Sequence, residues 1–107
     1  MDDLTPVRVA MAERRFAERD YRGAADALGP VLDQHPENLS ARLLSARAYF
    51  HAALLEPARR ELETILAQDP TEPYARLMMV RTLERLGRPD EAATHRRLAE
   101  AMGVELA

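Results

Sequence analysis

A self-similarity at a step of 34 residues constrains this chain more than any other feature. Slid on itself by that step, Pro36 falls on Pro70, Ala24 on Ala58 and then Ala92, and Arg8 on Arg42 and Arg76. Ala12 and Ala46, Phe16 and Phe50, Leu28 and Leu62, Leu32 and Leu66, and Gln34 and Gln68 coincide as well, with no gap. A period of this length marks one supersecondary unit that cannot bury its apolar face alone and must stack on its neighbours. Three units follow, at 5–38, 39–72 and 73–103, with a short tail at 104–107. The whole span 1–107 is expected to be a single domain, since its length lies within the range of one.

Each unit reads as two helices, and the chain as all-α with six. Leu39, Leu43, Ala46 and Phe50 recur at three- and four-residue steps, as do Leu62, Ile65 and Leu66 after a break at 55–57. The breaks carry turn chemistry. Asp20 is placed to cap a helix starting at Tyr21. Pro57 and Pro89 suit a first turn, where a missing N–H costs nothing. Gly87 suits the end of the helix before it. The prolines at 36, 70 and 73 bias the residues before them away from helix. Pro30 predicts a kink within the second helix. Composition agrees: Ala and Leu dominate the apolar fraction, aromatics are only 5%, and there is no Trp, which favours helix over strand.

The pattern resembles the tetratricopeptide repeat, whose sequence reads W-x2-L-G-x2-Y, A-x3-F, P at this period. Tyr49, Ala58, Leu62 and Pro70 fill its slots in the second unit. Met11-Ala12, Ala24, Leu28 and Pro36 fill them in the first, and Met79-Val80, Leu83, Gly87 and Ala92 in the third. The resemblance implies a right-handed α-solenoid of three stacked helix-turn-helix hairpins. The small residues Ala24, Ala58 and Ala92 are expected at close helix crossings. Two departures stand out. Arg8, Arg42 and Arg76 occupy the tryptophan slot, where an Arg stem can cover apolar surface while its head stays in water. In the third unit Arg96 and Glu100 replace leucines, so the last helix is expected to face solvent and end the array.

Catalytic constellations are missing, and no enzyme, cofactor or metal site is expected. Cysteine is absent, and all 15 basic residues are Arg, which removes thiolate and lysine chemistry. Ser40 and Ser45 lack a nucleophile-elbow context. The four glycines are scattered, so no loop can cradle a phosphate. Glu91 and His95 stand four apart, a spacing that on a surface helix gives a weak electrostatic pair. Other acids alternate with arginines, as in Glu56 with Arg60 and Glu84 with Arg88, the pattern of a solvated face. A net charge of −3 argues against wholesale nucleic-acid binding. The arginines at 8, 14, 15, 19 and 22 are interleaved with Glu13, Glu18 and Asp20. The N-terminus reads as no secretory signal, and no segment is apolar enough to span a membrane. A cytoplasmic protein is expected, and the absence of Lys beside single Ile and Asn residues points to a GC-rich bacterium.

What remains is a surface. In the repeat family the first helices line a concave groove, and their inward positions carry over to Val9, Glu13 and Phe16 in the first unit. They carry over to Leu43, Arg47 and Phe50 in the second, with His51 beside them. In the third they are Tyr74, Leu77 and Arg81, with Arg85 beside them. Large apolar groups on an exposed face usually mark recognition, and Arg offers bidentate contacts to carboxylates. The expected partner is a protein or peptide with apolar anchors and acidic groups. A homodimer through the groove or the solenoid ends is the alternative. Members that clamp chaperone C-termini use Lys, Asn and Arg at slots that here hold Val9, Glu13, Leu44, Tyr74 and Met78, so that specialisation is not expected.

Overall fold

The computed structural model describes residues 3–106. They form six helices: α1 (Thr5–Ala17), α2 (Tyr21–Gln34), α3 (Leu39–His51), α4 (Leu55–Gln68), α5 (Pro73–Arg85) and α6 (Pro89–Ala101). No strand occurs among the described residues. The helices start where the capping chemistry puts them. Asp20 Oδ1 accepts from the Gly23 amide at 3.0 Å and Asn38 Oδ1 from the Ala41 amide at 3.0 Å, each satisfying one orphan donor of a first turn. Glu72 caps α5 through the Ala75 amide. Pro89 opens α6. α2 continues as helix through Pro30. Asp26 and Pro30 both lie on its exposed side, where water can solvate the carbonyl that a proline leaves unbonded.

The chain divides into two compact units, the first reaching to Leu54 and the second beginning at Leu55. In the first, α1 packs on α2 and α2 on α3, and α1 also touches α3. Its core is Ala12, Leu28, Val31 and Ala41, with Val9, Leu32 and Leu44 packed against them. Ala24, Ala25 and Ala48 form a second cluster under Phe16, Tyr21 and Tyr49. In the second unit α5 packs on both α4 and α6, burying Leu62, Ile65, Met79 and Leu83. Ala24, Ala58 and Ala92 are all buried, as their recurrence at 34 residues predicts. The hydroxyl of the fully buried Thr82 donates to the Met78 carbonyl at 2.8 Å, so no donor is lost there.

The period also governs how the first helices end. Arg19, Ala53 and Gly87 stand one period apart, and all three are left-handed, with φ of 64°, 61° and 72°. After each, an amide reaches back five residues: Asp20 to Arg15, Leu54 to Tyr49 and Arg88 to Leu83, at 2.8–2.9 Å. This is the Schellman arrangement, which satisfies the last carbonyls and favours glycine at the left-handed residue. Only the third unit uses glycine there. Ala53→Gly is therefore expected to stabilise the fold by about 1 kcal/mol, since a Cβ in this region costs roughly 1–2 kcal/mol and some of that gain is offset by the entropy of an unfolded glycine. A higher midpoint in urea denaturation checks it; a lower one would show that Ala53 pays no conformational cost.

The tryptophan-slot arginines do more than cover surface. Arg42 Nη2 donates to the Pro36 carbonyl at 2.9 Å and Arg76 Nη2 to the Pro70 carbonyl at 2.9 Å. Each thus ties the first helix of a repeat to the turn that precedes it. Arg76 departs from the expected solvated head: it is 8% exposed, and its Nη1 lies 2.8 Å from His95 Nδ1. A guanidinium can only donate, so His95 Nδ1 accepts and the ring is neutral with its proton on Nε2. Burial and then the Arg76 cation lower the His95 pKa below its usual 6.5, against smaller opposite effects of Glu91 and Glu63. On α6, Glu100 is exposed, while Arg96 is half-exposed and donates to Glu84 Oε2 at 2.6 Å.

Candidate functional site

In the first unit, α1 and α3 run alongside one another, and between them lies a cavity of about 410 Å³. Val9, Glu13 and Phe16 come from α1, at the three- and four-residue steps that keep side chains on one helix face. Asn38, Ser40, Ala41, Leu44 and Arg47 come from α3 and the residue that caps it. Val9, Phe16 and Leu44 are half-buried and apolar, whereas Glu13 and Ser40 are exposed. The walls are thus apolar below and polar at the lip. That is the usual composition of a site that takes a side chain or a short segment of another molecule.

One end of the cavity is closed by rings. The Arg47 guanidinium carbon stands 4.7 Å from the centre of the Phe16 ring, within reach of a cation–π attraction. Phe16 meets Tyr21 edge-on at 5.2 Å and His51 edge-on at 5.5 Å. Tyr21 and His51 are stacked at 5.1 Å, and Phe50 meets His51 edge-on at 5.7 Å. These offset and edge-to-face arrangements suit the ring quadrupoles. They bring the last turn of α1, the first turn of α2 and the last turn of α3 together, and fix the orientation of Phe16 and hence of Arg47 above it.

Val9, Glu13, Phe16 and Arg47, expected from the sequence, line this cavity. Phe50 and His51 stand in the ring cluster beside it. Leu43 is half-buried and is not among the lining residues; its neighbour Leu44 is. Leu44 also packs against the core of Ala12, Leu28, Val31 and Ala41. The signal for Leu44 was already present: it occupies one of the slots by which clamp-type members of the repeat family hold their ligands. Tyr74, Leu77, Arg81 and Arg85 lie on α5 in the second unit, with Leu77 half-buried and the other three exposed.

Among the described residues no three His, Cys, Asp or Glu side chains gather where they could hold a metal ion, and no helix is long and apolar enough to cross a membrane. His95, the one histidine with an acid four residues before it, is engaged by Arg76. On the second unit several surface charges pair with one another. Arg59 bonds both Glu56 and Glu63, and Arg88 bonds both Glu56 and Glu91. The hydrogen bond from Arg59 holds the Glu56 carboxyl below its ordinary range.

No curated protein matches the chain. A solved structure, that of a point mutant of the protein MamA, is similar to it with a TM-score of 0.88 at 21% identity, covering 94% of this chain and 74% of that one. That likeness is one of fold, an all-α helical solenoid of the tetratricopeptide type. The sequence pattern of the tetratricopeptide repeat matches residues 15–78, more than half of the chain. Paired helices at a 34-residue period, buried alanines at the crossings and a left-handed residue closing each first helix are therefore family architecture, and the chain belongs to the tetratricopeptide repeat family, whose fold generally serves protein–protein interaction.

Proposed function

We propose that this protein is a non-catalytic adaptor that holds a peptide or helix of a partner protein against α1 and α3. The cavity carries the proposal. It offers an apolar floor of Val9, Phe16 and Leu44, a volume of about 410 Å³, and an arginine oriented by stacked rings at its edge. An aliphatic or aromatic side chain would fill the floor, and an acidic group beside it would meet Arg47. In the second unit the same reading assigns contacts to Tyr74, Leu77, Arg81 and Arg85 on α5. The chain 1–107 acts in this reading as one domain, in a bacterial cytoplasm, with the bacterial source favoured by its all-arginine basic composition.

Selection of random twelve-residue peptides on the folded protein, followed by titration of the best binder, tests the reading. Leu44→Ala is expected to weaken binding by roughly 1–3 kcal/mol, the range for an apolar anchor in a desolvated centre. Arg47→Ala and Arg81→Ala should act mainly on the association rate and flatten the salt dependence. Arg60→Ala, on the exposed side of α4, should change nothing. Selected peptides that bind folded Leu44→Ala and Arg47→Ala as tightly as the parent would place the function elsewhere.

A further inference from the structure

One stripe of α1 is apolar and open. Leu4, Val7 and Met11 follow each other at three- and four-residue steps and are 46%, 56% and 41% exposed. The repeat identifies what such a stripe is for. One period on, the positions of Val7 and Met11 hold Ala41 and Ser45, and two periods on they hold Ala75 and Met79. All four are buried, in units where α2 packs on α3 and α4 packs on α5. This face of a first helix is therefore one that a second helix covers, and on α1 no described element covers it.

The chain carries a matching helix. On α6, Leu98 is 45% exposed, with Thr94 and Ala101 exposed one turn to either side. We propose that α1 of one copy packs antiparallel against α6 of a second copy. With Val7 opposite Leu98, the helical steps set Met11 against Thr94, Leu4 against Ala101, and Arg14 against Glu91. Val7 and Leu98 then form an apolar centre, a large side chain meets a small one on either side of it, as interdigitating helix surfaces allow, and an arginine meets an acid at the end.

Charge selects this occupant over the simpler self-pairings. Residues 3–19 carry four arginines and three acids, whereas residues 89–106 carry four acids and two arginines. Pairing α1 with its own copy would set Arg8 and Arg15 of both molecules along one shared flank, and like charges across an interface are unfavourable. Pairing α6 with its own copy would bury a single large apolar residue from each side. The seam charges already have partners at the ends of their own helices: Glu91 accepts from Arg88 at 2.8 Å, with side chains 54% and 38% exposed, so its contact to Arg14 is shared with Arg88 and adds little beyond orientation. Arg14 and Glu18 stand 3.7 Å apart with side chains 81% and 60% exposed, and such surface pairs contribute little. The face of α6 that would continue the repeat is closed by Arg96 and Glu100, so the second copy docks on the Leu98 stripe instead.

The two faces are different, so the contact is heterologous, and repeating it builds a ring or a filament according to its rotation. Each copy engages one neighbour through α1 and another through α6. A single helix pair buries less than a standard interface, so the assembly is reversible and shows itself at high concentration.

Sedimentation equilibrium of the full chain from micromolar to millimolar concentration tests this. The average mass of the parent should rise past that of a dimer, and less so in high salt. Val7→Arg and Leu98→Arg should each remain monomeric throughout, because each blocks one face; both positions are exposed, and circular dichroism confirms their fold. An equimolar mixture of the two should form a one-to-one dimer with twice the monomer mass and grow no further, because each supplies the face the other lacks. Leu44→Ala, in the proposed peptide site, should assemble as the parent does. A parent that stays monomeric, a mixture that stays monomeric, or a Leu98→Arg variant that still dimerises would each overturn the proposal. Loss of assembly in folded Leu44→Ala would overturn it in favour of the cavity as the self-association site.

Discussion

Truncation of Leu28 to alanine is expected to cost about 2–5 kcal/mol of stability, the range for deleting a fully enclosed leucine whose surroundings relax only in part. Leu28 has no exposed surface and sits in the centre of the first unit with Ala12, Val31 and Ala41. Three of those neighbours are small or β-branched and cannot reach across the space left behind, which places the cost in the upper part of the range. Leu62, its counterpart one period on and equally enclosed, should behave alike in the second unit. A protein of this size is stable by about 5–15 kcal/mol, so either change removes a large share. The check is a fall in the urea midpoint at constant m. Leu98→Ala is the control, since an exposed leucine should stay within about 0.5 kcal/mol. Equal effects at Leu28 and Leu98 would mean that Leu28 is not at the centre of the packing.

Enlarging the crossing should be damaging in the opposite sense. Ala58 is completely enclosed on α4, and Ala58→Leu inserts a branched side chain where no space exists. Overpacking of this kind costs about 1–3 kcal/mol through off-rotamer side chains and displaced backbone. Ala67→Leu adds the same atoms on the exposed surface of the same helix, and should be neutral, since leucine is nearly as good a helix former as alanine. An unchanged midpoint for Ala58→Leu would show that the recurring alanine is not at a close crossing.

Much of this architecture is legible in the residues because the period repeats the same physical demand. Alanine at 24, 58 and 92, and leucine at 28 and 62, can be aligned by eye, and each is buried. The cap at Asp20 is equally legible, because an aspartate just before a helix start has an orphan amide to accept from; the cap at Asn38 shows itself only in the structure. Pairing between charges is not. The four-residue spacings of Glu56 with Arg60 and of Glu84 with Arg88 invited pairing, but Glu56 meets Arg59 and Arg88, and Glu84 meets Arg96. Long flexible side chains choose among several partners of similar energy, and sequence spacing does not decide between them. The step from Leu43 to Leu44 at the cavity is of another kind: both are half-buried leucines on adjacent positions of α3, and the pattern alone does not say which one faces the cavity. The open stripe of α1 was hidden for another reason. Alignment shows a residue and not what covers it: Met11 recurs two periods on as Met79, and only the structure leaves the first open and the second enclosed.

The bonds from Arg42 to Pro36 and from Arg76 to Pro70 bear on how such a chain can be recombined. Counted by hydrophobic pattern, a repeat begins at Leu39 or Pro73. Counted by its fastenings, it begins earlier, at the proline whose carbonyl receives the arginine of the helix to come. A segment transplanted as 39–72 would carry its arginine away from the acceptor and inherit whatever turn the host supplies, whereas 36–69 moves as one piece with its anchor inside it. The exchangeable module of this protein therefore runs from proline to proline.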